Sequence, residues 1–327
     1  MEQILQKIGT GFINLTERGF TYGPQGKMLY RNVENLWFQH CITMPHYNVF
    51  PTSSDQVNET LNYLADTAVD TLPFGLAIIE NSKTTWNQSF FQPGWKTFSH
   101  KIAKVSIIAN ESTAKDLFHK KQRERKVWWR KIAQDPSRFA FTEAKRSKNR
   151  ESIEIEAQFP FGNIVVDTIT HNRNVRKLFT QDDYSGNSIC DSHLVEHITS
   201  LDWGCLALLC DGVGKSGNFN IHPKLSPYKV TFHAPSTNTD TDYFSEDANQ
   251  LIVYLNNLLR ARGLDTILTQ DDRATEIYCA PFIVKVDETS LKNGLVKVIS
   301  KSTTLAETVH ITSLAKYLVS RCSYSQG

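Results

Sequence analysis

The chemistry this sequence offers most densely is cationic. Lys120, Lys121, Arg123, Arg125, Lys126, Arg130 and Lys131 fall within one short stretch. Positive groups at that density can neutralise the phosphates of a nucleic-acid backbone and release its counterions. Between Lys115 and Arg150, thirteen Lys or Arg stand against four Asp or Glu, a local net of +9 in a chain of net +2 that leaves −7 for the remainder. A charge run is more often a solvated helix face whose long stems cover apolar surface. Here the concentration favours phosphate contact, directed at the backbone rather than base edges and therefore with little sequence preference.

Two other patterns imitate catalytic or binding motifs. His193, Glu196 and His197 follow the H-x-x-E-H order of an inverted zinc protease, but a catalytic metal also needs a third ligand, an open position and oriented outer partners. Three fixed positions in five arise easily by chance, and the run is expected in a connecting segment, so no metal site is assigned. Gly212 to Gly217 reads like the end of a phosphate loop without its first glycine, which Ala207, Cys210 and Asp211 do not supply; it is better read as a flexible linker. Cysteines 41, 190, 205, 210, 279 and 322 include no C-x-x-C pair, which suits buried or idle thiols in a reducing compartment. The histidines, including His222, His233 and His310, read as structural, and no cofactor is expected.

Hydrophobic content of 40% with 21% charged residues over 327 positions is ordinary for a globular protein of two or three domains. No apolar run approaches the roughly 20 residues that cross a bilayer. The N-terminal stretch, with Glu2, Lys7, Glu17 and Arg18, lacks the Arg-rich, acid-poor bias of an organelle transit peptide.

The elements that must position these residues can be read in part. Ser112 to Ala133 is expected to be a helix capped by Ser112, with Ala114, Leu117, Phe118, Trp128, Trp129 and Ile132 as its apolar stripe. The same three- and four-residue steps land on Lys121 and Arg125 in the middle, which predicts a helix packed at both ends and charged between. Gly23-Pro24 turns into a helix with Met28, Val33, Leu36 and Trp37 toward a core. Another helix is expected over Asp55 to Ala68, and a buried strand from Leu72 to Ser82.

Ile221 to Val230 carries two prolines and makes a stiff lead-in to a strand at Lys229 to Ala234. A helix capped by Ser245 and closed by Gly263 should follow, then strands over Leu264 to Leu268, Tyr278 to Val286 and Leu295 to Ile299. Asn293-Gly294 is read as the turn between the last two, and Thr304 with Glu307 as a capping box ahead of a closing helix over Ser313 to Arg321.

The run His222-Pro-x-Leu225-x-Pro227-x-Lys229-Val230, with Asp287 to Leu295 and Ser302 to Glu307, resembles the anticodon-binding domain that closes class II aminoacyl-tRNA synthetases of the glycyl and prolyl type. Tyr22-Gly23-Pro24 with Gly26, Leu29, Asn32 and Trp37 resembles the first motif of the glycyl enzymes. Residues Val286 to Leu318 are more similar still to the accessory subunits of mitochondrial DNA polymerase gamma. In those subunits the Trp128-Trp129-Arg130-Lys131 run and the downstream Pro136-Ser137 have counterparts.

The resemblance implies an α/β protein, α+β in detail. A class II synthetase-like domain on an antiparallel sheet would occupy residues 1–215, and an anticodon-binding-like α/β domain with a mixed sheet residues 216–327. It also implies that catalysis has been abandoned. In the synthetases a motif 2 arginine grips the ATP α-phosphate and a glutamate follows it; Thr84 and Trp86 stand at those positions. The motif 3 pattern keeps Gly204 but has Leu206 and Ala207 where a second glycine and arginine belong. Beside the amino-acid pocket, Phe159 to Thr170 keeps Asp167 but has Val165 where another acid would fall; a lone strand Asp is more often a surface or hydrogen-bonded residue than a ligand.

For function, the resemblance implies a non-enzymatic, mitochondrial role: binding the polymerase catalytic subunit and duplex or primer-template DNA, and raising processivity. With mitochondria implied, a presequence would be cryptic or outside this sequence. Asn293, Gly294, Lys297 and Lys301 are the candidate partner contacts, on a hairpin that would expose its turn and one strand face. Vertebrate members of the accessory-subunit family carry a longer helical insertion between Cys41 and Thr71 and use it to form a homodimer, which this chain is not expected to form that way. The competing readings are a divergent glycyl-type synthetase and a synthetase-derived tRNA-binding module.

Overall fold

The computed structural model describes residues 1–16, 19–67, 71–82, 100–174, 192–214, 217–233, 242–269 and 274–322, with backbone only at 242–245 and 274–275. The chain divides into two compact units, Met1–Gly23 with Val33–Gly217, and Pro24–Asn32 with Asn218–Gly327. Helices and sheets are mixed in both, the α+β class expected from the sequence.

The first unit opens with α1 (Glu2–Ile8) and the paired strands β1 (Ile13–Thr16) and β2 (Gly19–Tyr22); α2 (Pro24–Phe38) follows, its residues from Val33 on counted with this unit and its start with the other, and it begins on Pro24, a residue pre-set for the first helical turn. Leu29, Val33 and Trp37 of α2 are fully buried. Next come β3 (Val49–Pro51), α3 (Val57–Asp66), β4 (Phe74–Ser82), β5 (His100–Ala109), α4 (Glu111–Ile132), β6 (Phe139–Phe141), β7 (Lys145–Ser147), β8 (Arg150–Ala157), β9 (Ile164–Asn172), β10 (His193–Ser200) and α5 (Leu201–Asp211).

These strands form one eight-stranded sheet in the order β3-β4-β5-β10-β9-β8-β6, with β7 on β8. Every pairing is antiparallel except β3 with β4. Residues directly opposite share a face, so alternate positions of β4, β5 and β10 separate two layers. On one, Val57, Leu61 and Leu64 of α3 close over Phe74, Leu76, Ile78, Ile108 and Leu194. On the other, α4 and α5 lie against β9, with Trp129 of α4 stacked on Phe139 of β6 at 5.6 Å.

Gly204 of α5 is where these two helices meet. A β-carbon there would stand 2.4 Å from the Trp129 ring, so close packing alone requires the glycine. Ser200 caps α5 by accepting from the Trp203 amide.

The second unit contains β11 (Val230–His233), α6 (Asp242–Arg260), β12 (Thr266–Ile267), α7 (Ala274–Ile277), β13 (Phe282–Lys285), α8 (Glu288–Asn293), β14 (Leu295–Ser300), β15 (Ala306–His310) and α9 (Ile311–Cys322). The sheet order is β12-β11-β13-β14-β15, parallel through β13 and antiparallel beyond it. Val230, Phe282, Val284, Val296, Val298 and Val309 bury one face against Ala248, Leu255 and Leu259 of α6 and Leu314 and Leu318 of α9.

Local detail departs from the sequence reading at several points. Asn293-Gly294 is not a hairpin turn: Asp287 and Ser290 form a capping box, and Gly294, at φ 68°, ends the helix they start. Thr304 caps nothing, and Glu307 sits in strand β15, paired to Val298. The first residue of the basic helix is Glu111, with Asn110 as its cap in place of Ser112. Helix α6 begins at Asp242, so Ser245 lies inside it and does not cap it; Thr84, Trp86 and Cys190 lie outside the described residues, as does the Lys215–Ser216 part of the linker. The other five cysteines are unpaired and buried. No helix among the described residues is long and apolar enough to cross a membrane.

Candidate nucleic-acid interface

Helix α4 turns two different sides to its surroundings. Ala114, Phe118, Lys121, Arg125, Trp128, Trp129 and Ile132 are buried, the three- and four-residue spacing of a single helical face. Lys121 and Arg125 therefore belong to the packed stripe, which corrects their expected place among the DNA contacts.

Arg125 is 1% exposed. Its Nε donates to Asp167 Oδ2 at 2.8 Å, its Nη2 to Thr199 Oγ1 at 3.0 Å and its Nη1 to Cys41 Sγ at 3.2 Å. Asp167 Oδ2 also accepts from Trp129 Nε1 and Thr199 Oγ1, both at 3.1 Å. The guanidinium lies 4.4 Å from the Trp128 ring. Burial pushes the Asp167 carboxyl upward while the Arg125 charge and these donors pull it back. A buried ion stays ionised only with such company, so the pair can exist only as a pair. Of the two readings left open by the sequence, Asp167 is hydrogen-bonded and, fully buried, not a surface residue.

Lys121 is 6% exposed, with Nζ 2.7 Å from Glu124 Oε2 and 5.4 Å from the centre of the Tyr47 ring. Burial works against its charge, and Tyr47 and Glu124 outweigh that, holding its pKa above the ordinary value.

The solvent side holds the remaining candidates. Lys120, Arg123 and Lys131 are exposed, and Lys126 and Arg130 partly so. Lys120 lies 3.8 Å from Glu124, a loose surface pair. Lys126 Nζ sits 4.4 Å over the Phe141 ring, with its pKa lowered by burial of its stem and by the Arg130 charge. Arg130 Nε donates to the Phe139 carbonyl at 3.1 Å. Arg123 and Lys131 have no ion pair among the described residues. The helix is held at its C-terminal end by Asp211, whose carboxylate accepts from the Gln134 amide at 2.6 Å and pairs with Arg138 at 3.0 Å.

Sequence reasoning passed over the β7–β8 hairpin. Lys145, Arg146, Lys148 and Arg150 are all exposed around its turn; Lys145 pairs with Glu154 at 3.3 Å and Arg146 with Glu151 at 2.9 Å. The signal was present in the charge count through Arg150, but no helical period pointed to it.

The zinc-like run lies on β10 and not in a connecting segment. Along a strand, His193 and His197 share a face while Glu196 points the other way: His193 Nδ1 lies 3.1 Å from His171 Nε2, and Glu196 accepts from Ser106 at 2.9 Å. No metal-holding group of His, Cys, Asp and Glu occurs among the described residues.

Of the partner candidates, Asn293 and Gly294 close α8, and exposed Lys297 on β14 pairs with Asp287 at 3.1 Å. Lys301 comes directly after β14, its amide bonded to the Pro281 carbonyl.

No protein-family profile matches the chain. Curated relatives do. DNA polymerase subunit gamma-2, mitochondrial, of Drosophila melanogaster is 26% identical over 238 residues, covering 66% of this chain and 65% of the relative. The Xenopus laevis protein of that name is 28% identical over 233 residues, 60% of this chain and 48% of the relative. DNA polymerase subunit gamma-2 of Bos taurus is 26% identical over 291 residues, 78% and 58% respectively. The matches thus span about half to two thirds of the relatives' length. By sequence, this chain is similar to the proteins named DNA polymerase subunit gamma-2.

Proposed function

We propose that this chain is a non-catalytic accessory subunit of a mitochondrial DNA polymerase, acting in mitochondria by binding the catalytic subunit and duplex or primer-template DNA and raising processivity. The observation that carries this reading is the similarity to gamma-2 subunits across 60–78% of the chain. The outward side of α4 supports the DNA part: Lys120, Arg123, Lys126, Arg130 and Lys131 line one side of a single rigid helix, and the basic β7–β8 hairpin adds four exposed cations. Charges on a rigid element can track a phosphate backbone without reading bases.

A catalytic role as a synthetase is disfavoured at the motif 3 position. Leu206 and Ala207 are fully buried in α5, so an arginine reaching a nucleotide has no counterpart there, and Gly204 is accounted for by its contact with Trp129. The second reading, a synthetase-derived tRNA-binding module, draws on the same cations. Competition between duplex DNA and tRNA at matched salt separates the two, and the proposed function expects DNA to win. The chain acts without the vertebrate-type homodimer; a light-scattering mass of one chain at micromolar concentration is the expected result.

A further inference from the structure

Among the described residues the two large sheets have five edge strands, β3, β6 and β7 in one and β12 and β15 in the other, and an edge presents backbone groups that can pair with another chain. Four of these five are blunted by length: β3 has three residues and ends on Pro51, β6 and β7 have three each, and β12 has two. β15 has five residues and no proline, and four of the five side chains are exposed. Leu305, immediately before it, is 67% exposed.

The ladder fixes which groups face outward. The Ile311 amide donates to the Gly294 carbonyl at 2.9 Å and the Ser300 amide to the Leu305 carbonyl at 3.0 Å. Hydrogen-bonded positions alternate in an antiparallel pair, so Glu307 and Val309 bond inward to β14. Ala306 and Thr308 turn N–H and C=O away from the sheet, and His310 its N–H, with no backbone partner for these groups among the described residues; the His310 carbonyl belongs to the first turn of α9.

The surroundings set the charge of an occupant. From Lys285 to Cys322 six Lys or Arg stand against three Asp or Glu. Lys297, which pairs with Asp287 at 3.1 Å, lies directly across from Thr308, and Lys285 across from Lys297. Glu307, the only acid on β15, is already paired with Arg321 at 3.1 Å.

We infer that the polymerase partner donates an extended acidic segment to β15 as a sixth strand, hydrogen-bonded to the outward groups of Ala306, Thr308 and His310. The inference rests on the partner named under the proposed function and gives its docking mode. Backbone bonds supply affinity in this kind of strand addition, and flanking charges supply selectivity. Lys297 and Lys301, candidates on sequence grounds, border this edge.

The test is residue-resolved hydrogen exchange of the full chain, alone and with the catalytic subunit of its cognate polymerase, alongside binding titrations of Thr308→Pro and Thr308→Asp. The first variant removes an amide the sheet does not use; the second sets an anion against an acidic strand. The expected result is fast exchange at 306, 308 and 310 in the free chain, protection of all three in the complex, and at least tenfold weaker binding by both variants with unchanged melting temperature. Should Thr308→Pro fail to fold, the aspartate variant and the exchange data decide. A complex that leaves the three amides unprotected overturns the docking mode while leaving the partner in place. No complex overturns both. Protection in the free chain with a mass of two chains assigns the edge to a second copy and also overturns the inference.

Discussion

Arg125 carries its charge with 1% of its surface exposed, held by a carboxylate, a hydroxyl and a thiol. Removing it leaves Asp167 buried and unpaired, a change that costs about 3–5 kcal/mol. Arg125→Ala should therefore lower stability by that amount in denaturant titration, and the protein that remains folded should bind duplex DNA with an unaltered salt dependence. Gly294 is constrained by its φ of 68° and by the His310 ring, whose Nε2 would lie 3.0 Å from a β-carbon. Gly294→Ala is expected to destabilise the second unit by about 1–2 kcal/mol, the scale of a side chain forced into left-handed backbone, read as a lower melting temperature. One buried and two half-buried histidines set the acid limit. Burial, with nearby cations, lowers His40 to about 3 and His222 to about 4, and holds His197 well below its ordinary value. Each is neutral in the fold and takes up a proton on unfolding below pH ~6.5, so stability is full above that pH and falls as pH drops toward 4, by up to ~1.4 kcal/mol per pH unit per histidine. Melting curves between pH 7 and pH 5 check this. The burial of Arg125 was legible in part: it occupies a stripe position. The partner that makes burial tolerable, Asp167, is 42 positions away, and only the fold brings the two together.

At the scale of elements, α4 sorts its cations by side. Replacing exposed Lys120, Arg123 and Lys131 with alanine should weaken duplex binding and reduce the slope of log affinity against log salt by up to ~0.9 for each phosphate no longer neutralised. An unchanged slope would remove these residues from the interface. The strongly periodic helices α4, α6 and α9 could be read from the sequence because each buries a stripe that local spacing reveals. The same was not true of shorter signals. Asn-Gly serves a hairpin and a helix C-terminus equally well, since both need a left-handed residue, and the Asp287–Ser290 capping box decides for the helix. Thr304 and Glu307 have capping-box spacing, yet pairing of β15 along β14 takes precedence. Tertiary pairing overrides a local motif when the strand it completes buries a residue such as Val309.

For the whole molecule, the proposed function assigns DNA to the cation-lined helix and basic hairpin of one α+β unit and the polymerase to the sheet edge of the other. The chain's similarity to gamma-2 subunits is what joins the two in that proposal. The most direct test is primer extension by the cognate mitochondrial polymerase catalytic subunit, with and without this chain, at moderate salt where the catalytic subunit alone dissociates early. Longer products per binding event are the predicted result, and they should shorten again with the Lys120, Arg123 and Lys131 variant. Product lengths unaffected by this chain, with an active catalytic subunit, would contradict the account.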